Sequence, residues 1–267
     1  MLGVTRWLRG AFRVGAGTVV LMVFTSAVAV ADEPLGNNYV YLRVGGAGPA
    51  LALESETGVG TRDARLLGHR GVEQEIRLRW QPLAWMGLEA SGGLLFTERP
   101  AVRPGAGVDV YGRLLRQAAH AVDLQVAAGY GFDYRGDHLL RFRGVLGRGF
   151  GRFEVVASGL VEVPLTGRRD EADVMLEVAA SLGLTDWYRQ GFEVCLEDLE
   201  GLWEANEAEG GAKILAGPTA SFQLGGGFVV KLNAALVHTL SSGQPTAAGT
   251  PPALGFMGRL VLGYGFR

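Results

Sequence analysis

The chain has 267 residues, with 25 Lys and Arg against 27 Asp and Glu, a formal charge of −2. That balance leaves no surplus of basic side chains for a phosphate backbone and excludes nucleic acid as a partner. Glycine is abundant at 42 but has no three-residue period, there are 10 prolines, and a single cysteine, Cys195, rules out an intrachain disulfide; collagen, low-complexity and disulfide-scaffold classes are excluded.

The first element is a leader. Arg6, Arg9 and Arg13 precede an apolar stretch at 14–23, and Ala29-Val30-Ala31 stands before Asp32-Glu33-Pro34, the layout of a secretory signal peptide over 1–31. The apolar stretch is shorter than the ~20 residues a spanning helix needs, and no run of about 18 apolar residues follows it. Losing the leader removes three arginines and no acid, so the remainder is mildly acidic. Residues 32–49, with an alternating stretch at 39–44 and a Gly/Pro-rich run after it, read as a lead-in or an extra strand, and 50–267 as one folded unit.

Period-two alternation then recurs in about twelve segments: 50–57, 72–81, 86–97, 108–115, 121–134, 139–147, 150–163, 173–184, 191–197, 212–224, 228–240 and 254–266. Most are close to the 9 to 11 residues of a tilted transmembrane strand. The connections alternate in length. Short ones fall near 83–84, 117–119, 148–149, 185–186 and 225–227. Long polar or Gly/Pro-rich ones fall at 58–71, 98–107, 164–172, 198–211 and 241–253; Arg135-Gly136-Asp137 is a tight turn where a long loop is expected. Short turns on one side and long loops on the other, with both termini on the short side, predict an all-β, closed antiparallel transmembrane β-barrel of about 12 strands, between 10 and 14. A closed sheet is the one structure besides the helix that satisfies every backbone group in lipid.

Energy decides which face looks inward. In the second segment Val72, Gln74, Ile76, Leu78 and Trp80 alternate with Glu73, Glu75, Arg77, Arg79 and Gln81. An Arg facing mid-bilayer lipid costs roughly 2–4 kcal/mol, so the charged face belongs to the lumen. The same parity sends Asp109, Tyr111 and Arg113 inward from the fourth segment and Asp123 from the fifth, whose aromatic end Tyr130, Phe132 and Tyr134 faces lipid as an interfacial girdle. It also points Arg141 and Arg143 from the sixth, Arg152 and Glu154 from the seventh, and Glu177 from the eighth into the lumen. Arg141 and Arg143 are placed to pair with Arg152 and Glu154 across neighbouring strands, either as ion pairs filling a narrow barrel or as a polar constriction. Tyr111, Arg113, Arg141 and Arg143 are bulky enough to plug it.

Other chemistry is poorly supplied. His120, His138 and His238 fall on the lipid-facing register and His69 in a loop, away from the inward serines Ser91, Ser158, Ser181 and Ser221, which leaves a lipid-acting membrane enzyme as the third class of reading. Four scattered histidines and one cysteine lack zinc spacing, no calcium-loop pattern occurs, and the glycine pairs lack the strand-then-helix setting of a phosphate loop, so no cofactor or metal is expected. The 198–211 loop carries Glu200, Glu204, Glu207 and Glu209 around Leu199, Leu202 and Trp203, a rim segment able to form a short amphipathic helix. It is either a solvated acidic loop, a lid, or a divalent-cation contact with lipopolysaccharide.

The terminal pattern Phe256-x-Gly258-x-Leu260-x-Leu262-x-Tyr264-x-Phe266 resembles the closing strand of bacterial outer-membrane β-barrel proteins, which the barrel-assembly machinery reads; Arg267 follows the aromatic where that family usually stops. The stretch Gly211-Ala212-Lys213-Ile214-Leu215-Ala216-Gly217-Pro218, through Ser221-Phe222 to Leu232-Asn233, is similar to the transporter-like MetA-pathway phenol-degradation family. The resemblance implies the bacterial outer membrane, surrounding lipid and lipopolysaccharide, and passage of small, including aromatic, solutes without catalytic residues. The expected function is a channel passing small solutes through a charged lumen, with a closed structural or surface-binding barrel as the alternative.

Overall fold

A computed structural model describes residues 51–60, 71–97, 102–134, 136–166, 172–202, 211–241 and 253–266. The signal peptide, the lead-in with its 39–44 stretch, His69, Glu204, Glu207, Glu209 and Arg267 lie outside the described residues.

Twelve strands follow one another in chain order: β1 Leu51–Gly60, β2 Gly71–Leu83, β3 Met86–Thr97, β4 Val102–Leu115, β5 Asp123–Phe132, β6 His138–Phe150, β7 Phe153–Pro164, β8 Asp173–Gly183, β9 Tyr188–Glu197, β10 Lys213–Gly225, β11 Phe228–Thr239 and β12 Leu254–Phe266. Each pairs antiparallel with its neighbours in sequence, and β1 pairs with β12 from Leu51 opposite Phe266 to Gly60 opposite Met257, closing the sheet. The strand with the aromatic terminus is therefore the one that seals the barrel. Closure leaves no sheet edge, which lipid would not tolerate.

The barrel is inside-out. Along β8, Leu176 and Val178 are 47% and 55% exposed while Glu177 between them is 1% exposed. The same alternation runs round the sheet, with Leu78, Val110, Phe142, Phe192, Leu232 and Leu262 outward. An apolar band outside a charged interior is the pattern of a strand-built membrane span, in which charges on the outer face would be the costly ones.

Short connections gather at one end. Two residues link β2 to β3 and β6 to β7, and a single helical turn, α1 at Gln117–His120, links β4 to β5. Between β10 and β11 Gly225, Gly226 and Gly227 all have positive φ, of 83°, 59° and 86°, a backbone that side chains rarely adopt. Trp80, Trp85, Trp187, Phe150 and Phe228 are exposed on the outside at or near this end. That is the headgroup depth amphipathic rings prefer.

Several expectations need correction. β4 starts at Val102, so 102–107 belong to the wall and not to a loop; Gly105 and Gly107 have no side chain to announce a face, which hid the alternation. β6 runs on to Phe150, which moves the turn from 148–149 to Gly151 and Arg152. His120 sits in α1 and not on a strand. Of the acidic rim segment, Leu199–Leu202 form a 3-10 turn rather than an α-helix, with Glu200 in its backbone. Tyr134 lies beyond the end of β5, so strand parity no longer governs it, and its hydroxyl turns inward to donate to Glu73 at 2.9 Å.

Candidate lumenal site

The lumen wall is built by the inward residues of every strand, and its charges are joined across strands. On β2, Arg77 donates to Glu75 on its own strand at 2.5 Å and to Glu56 of β1 at 2.7 Å. Glu56 and Glu75 are directly opposite in register, so Arg77 cancels a repulsion that cross-strand acids would otherwise suffer. Arg259 of β12 also pairs with Glu56 and lies 3.7 Å from Glu73, the acceptor of Tyr134. Two residues along β2, Arg79 lies 3.2 Å from Glu89 of β3 and 3.8 Å from Glu54 of β1, which Lys231 of β11 approaches at 3.8 Å.

A second acid pair in register, Glu89 on β3 and Asp109 on β4, is served in the same way. Arg143 of β6 reaches over β5 to pair with Asp109 and lies 3.7 Å from Glu89, and Arg141 lies 3.2 Å from Asp109. This reach is possible because β4 and β5 present glycines there. A Cβ on Gly107 would collide with the Arg141 guanidinium, and one on Gly129 with the Asp109 carboxylate. Gly107 and Gly131 are thus the floor on which Arg141 lies, and Gly129 leaves room for the Asp109 carboxylate that both arginines reach.

The remaining predicted residues divide. Arg113 pairs with Asp123 at 3.2 Å, and Asp123 also accepts the Gln117 backbone N–H at 3.2 Å, tying α1 to the wall. Tyr111 is buried with its ring against Gly87. Glu177 is buried and accepts from Ser158 at 3.2 Å. Glu154 is inward, but its partner is Arg189 of β9 at 3.3 Å. Arg152 leaves the wall: it sits in the β6–β7 turn with its side chain 68% exposed, donates to the Leu184 carbonyl and lies 3.9 Å from Asp186. The expected bracing of Arg141 and Arg143 by Arg152 and Glu154 is therefore replaced by the Asp109 and Glu89 pairs.

Glu54, Glu56, Glu89, Arg189, Lys231 and Arg259 complete these networks and were missing from the sequence-derived set. Strand parity carried the signal for Glu89 and Lys231, which alternate with outward apolar residues, whereas Glu56 stands between Ser55 and Thr57 and Arg189 between Tyr188 and Gln190, where the contrast is weaker.

Beside the glycine floor lies a cavity of about 100 Å³, lined by Glu73, Arg77, Glu89, Tyr134, Arg141 and Glu162 among others. At the ~10–15 Å³ that one water centre occupies, it holds several waters. It lies towards the long-loop end. At the same long-loop end, along the β7–β12 wall, Leu160, Met175, Cys195, Leu215, Val237 and Met257 form an apolar patch on the inner face, and Leu160 and Met175 line the cavity as well. Of the histidines, His138 stacks on Tyr130 with its ring nitrogen against the tyrosine hydroxyl, and His238 meets the Ala253 carbonyl at 3.0 Å, both on the outer side.

A closed twelve-strand sheet with an apolar exterior and an ion-paired lumen defines a transmembrane β-barrel of the outer-membrane type. Solved structures share this fold: the KdgM porin at 10% identity, TM-score 0.54, covering 81% of this chain and 99% of that one, and the NanC porin at 8% identity, TM-score 0.57, covering 80% and 100%. A further KdgM structure, in complex with disordered oligogalacturonate, matches at 9% identity with TM-score 0.56, over 81% of this chain and 99% of that one. No protein-family model and no curated protein sequence matches the chain.

Proposed function

We propose that the protein is an outer-membrane channel that passes small solutes by diffusion along its charged lumen. The observation that carries this reading is the ladder of ion pairs laid on a glycine floor beside a cavity with room for several waters near the long-loop mouth. A barrel built only for rigidity has no need of inward glycines, because eight strands already close on packed side chains and wider barrels leave room for water. Fixed lumenal charges are how pores sort permeants. The fold shared with the KdgM and NanC porins supports the same reading.

The finer reading, that permeants include small aromatic molecules, rests on the likeness of residues 211–233 to the phenol-degradation family. The partners that go with an outer-membrane setting are lipid, lipopolysaccharide on the long-loop side and the barrel-assembly machinery acting on β12.

The test is conductance of the refolded protein, without its leader, in a planar bilayer. Discrete steps that change in the Arg141→Ala, Arg143→Ala double variant support the channel. Silence from a barrel shown to be folded by heat-modifiable gel mobility removes the channel and leaves a structural or surface-binding role. Block of the steps by added phenol checks the finer reading.

A further inference from the structure

The cavity near the long-loop mouth is bordered by hydrogen-bonding groups that the wall itself does not use. Arg141 meets one carboxylate, that of Asp109, and only through Nη2, at 3.2 Å. Its Nε and Nη1 have no partner among the described residues, so most of its fork of N–H donors is unused. Ser91, inward on β3, has no hydrogen bond among the described residues either. Both side chains line the cavity.

The shape of the space is as particular as its polarity. Two planar side chains lie on the bare backbone of β3 to β5, Tyr134 over Gly93 and Gly105 and Arg141 over Gly107 and Gly131. Both border the cavity, and on its β6 to β8 side stand Leu139, Leu160 and Met175. A cavity of about 150 Å³ holds benzene, so one of about 100 Å³ takes a solute of about four non-hydrogen atoms. The fit is to a small flat molecule with an oxygen for Arg141, a polar hydrogen for Ser91 and an apolar end.

Charge narrows the class further. Arg77, Arg141 and Arg143 each pair with a carboxylate of the wall, and Glu73, Glu75 and Glu89 each lie within ion-pair distance of an arginine. An ion entering here meets, beside each opposite charge, a like charge that already holds it. A like charge ~4 Å away disfavours an ion about fivefold even at the dielectric of water. An uncharged solute escapes that penalty and still accepts from the guanidinium.

We infer that the channel takes small, uncharged, planar solutes of the primary-amide class, which lodge in this cavity with the carbonyl oxygen accepting from Arg141 and the amide N–H donating to Ser91. This rests on the channel reading above and adds the class of the permeant.

The experiment is uptake of labelled acetamide, acetate and guanidinium, three planar molecules of one size and different charge, into vesicles holding the refolded full barrel. The pH is well above the pKa of acetic acid, and the leak of protein-free vesicles is subtracted. Acetamide is expected to enter about fivefold faster than either ion at equal concentration. Arg141→Lys keeps a positive charge for Asp109 and gives up the planar fork, and Ser91→Ala gives up the hydroxyl. Far below saturation, uptake scales with partition into the cavity. Losing a hydrogen bond to a charged donor therefore lowers acetamide uptake relative to that of the ions about tenfold in the first variant, and losing a neutral one about fivefold in the second. Ser91→Ala serves alone if Arg141→Lys does not give a heat-modifiable barrel. A barrel that conducts KCl but admits acetamide no faster than either ion, or variants that leave the acetamide-to-ion ratio unchanged, overturns the amide inference and leaves the channel standing. A folded barrel that admits none of the three and gives no KCl steps overturns the channel itself, and the inference with it.

Discussion

Asp109 is a carboxylate shared by Arg141 and Arg143, so its removal should be felt by both. The Asp109 side chain is 4% exposed and the two arginine side chains 16% and 13%. Breaking a buried pair from one side costs about 3–5 kcal/mol because the remaining charge has lost both water and partner. Here the cost is cut at both arginines. Arg143 keeps Glu89 at 3.7 Å, and Arg141 can swing to Glu162, its neighbour in register. We expect Asp109→Ala to lower unfolding free energy by about 2–3 kcal/mol, at or just below the lower bound of that range. Urea titration of the barrel in vesicles, followed by tryptophan fluorescence, measures it. A double-mutant cycle with Arg143→Ala isolates the pair, with an expected coupling of about 1–3 kcal/mol. An Asp109→Ala loss below about 0.5 kcal/mol, the level of an ordinary surface change, would refute the claim that this carboxylate organises the outer lumen.

Other perturbations test other parts of the same account. Leu232→Arg, midway along the outer face of β11, should destabilise by roughly 2–4 kcal/mol in a bilayer, whereas Ser91→Arg on the inner face should not, and equal effects would contradict the assigned faces. Gly217→Ala should prevent stable closure between β10 and β11, because the added carbon meets the Ala234 carbonyl and stands 2.6 Å from the Ala235 Cα; loss of heat-modifiable mobility is the readout. On the outer face Gln74 bonds Ser55 at 2.9 Å and Thr57 at 2.7 Å, a polar trio among apolar neighbours. Gln74→Leu alone should cost about 1 kcal/mol in the same urea titration, and replacing all three by Leu, Ala and Val should cost less, since of the partners only the Glu56 carbonyl, which the Gln74 amide also meets at 3.0 Å, then remains.

The strands were legible because burial in a barrel alternates, and alternation needs only side chains of contrasting polarity on successive residues. Where that contrast fails, the reading failed. Gly105 and Gly107 left the first half of β4 looking like a loop, and Tyr134 was assigned by a parity that had already ended at Phe132. The charged wall was legible strand by strand, with Glu73, Glu75, Arg77, Arg79, Arg141 and Arg143 all inward as expected. Its pairing was not. Sequence neighbours suggested that Arg141 and Arg143 would meet β7, whereas they reach over β5 to β4 and β3. That reach depends on the bare backbone at Gly107 and Gly129, a spatial fact that no single strand's pattern contains.

Bracing and selectivity need not be rival roles for this network. A buried ion pair is weak evidence for stability, since its desolvation offsets most of its attraction. Arginines held against carboxylates do something else: they keep long flexible side chains against the wall and take their charge out of the permeation path. On this view Arg77, Arg79 and Arg143 shape the width of the lumen, and neutral replacements at these three positions would be felt in conductance before they are felt in stability.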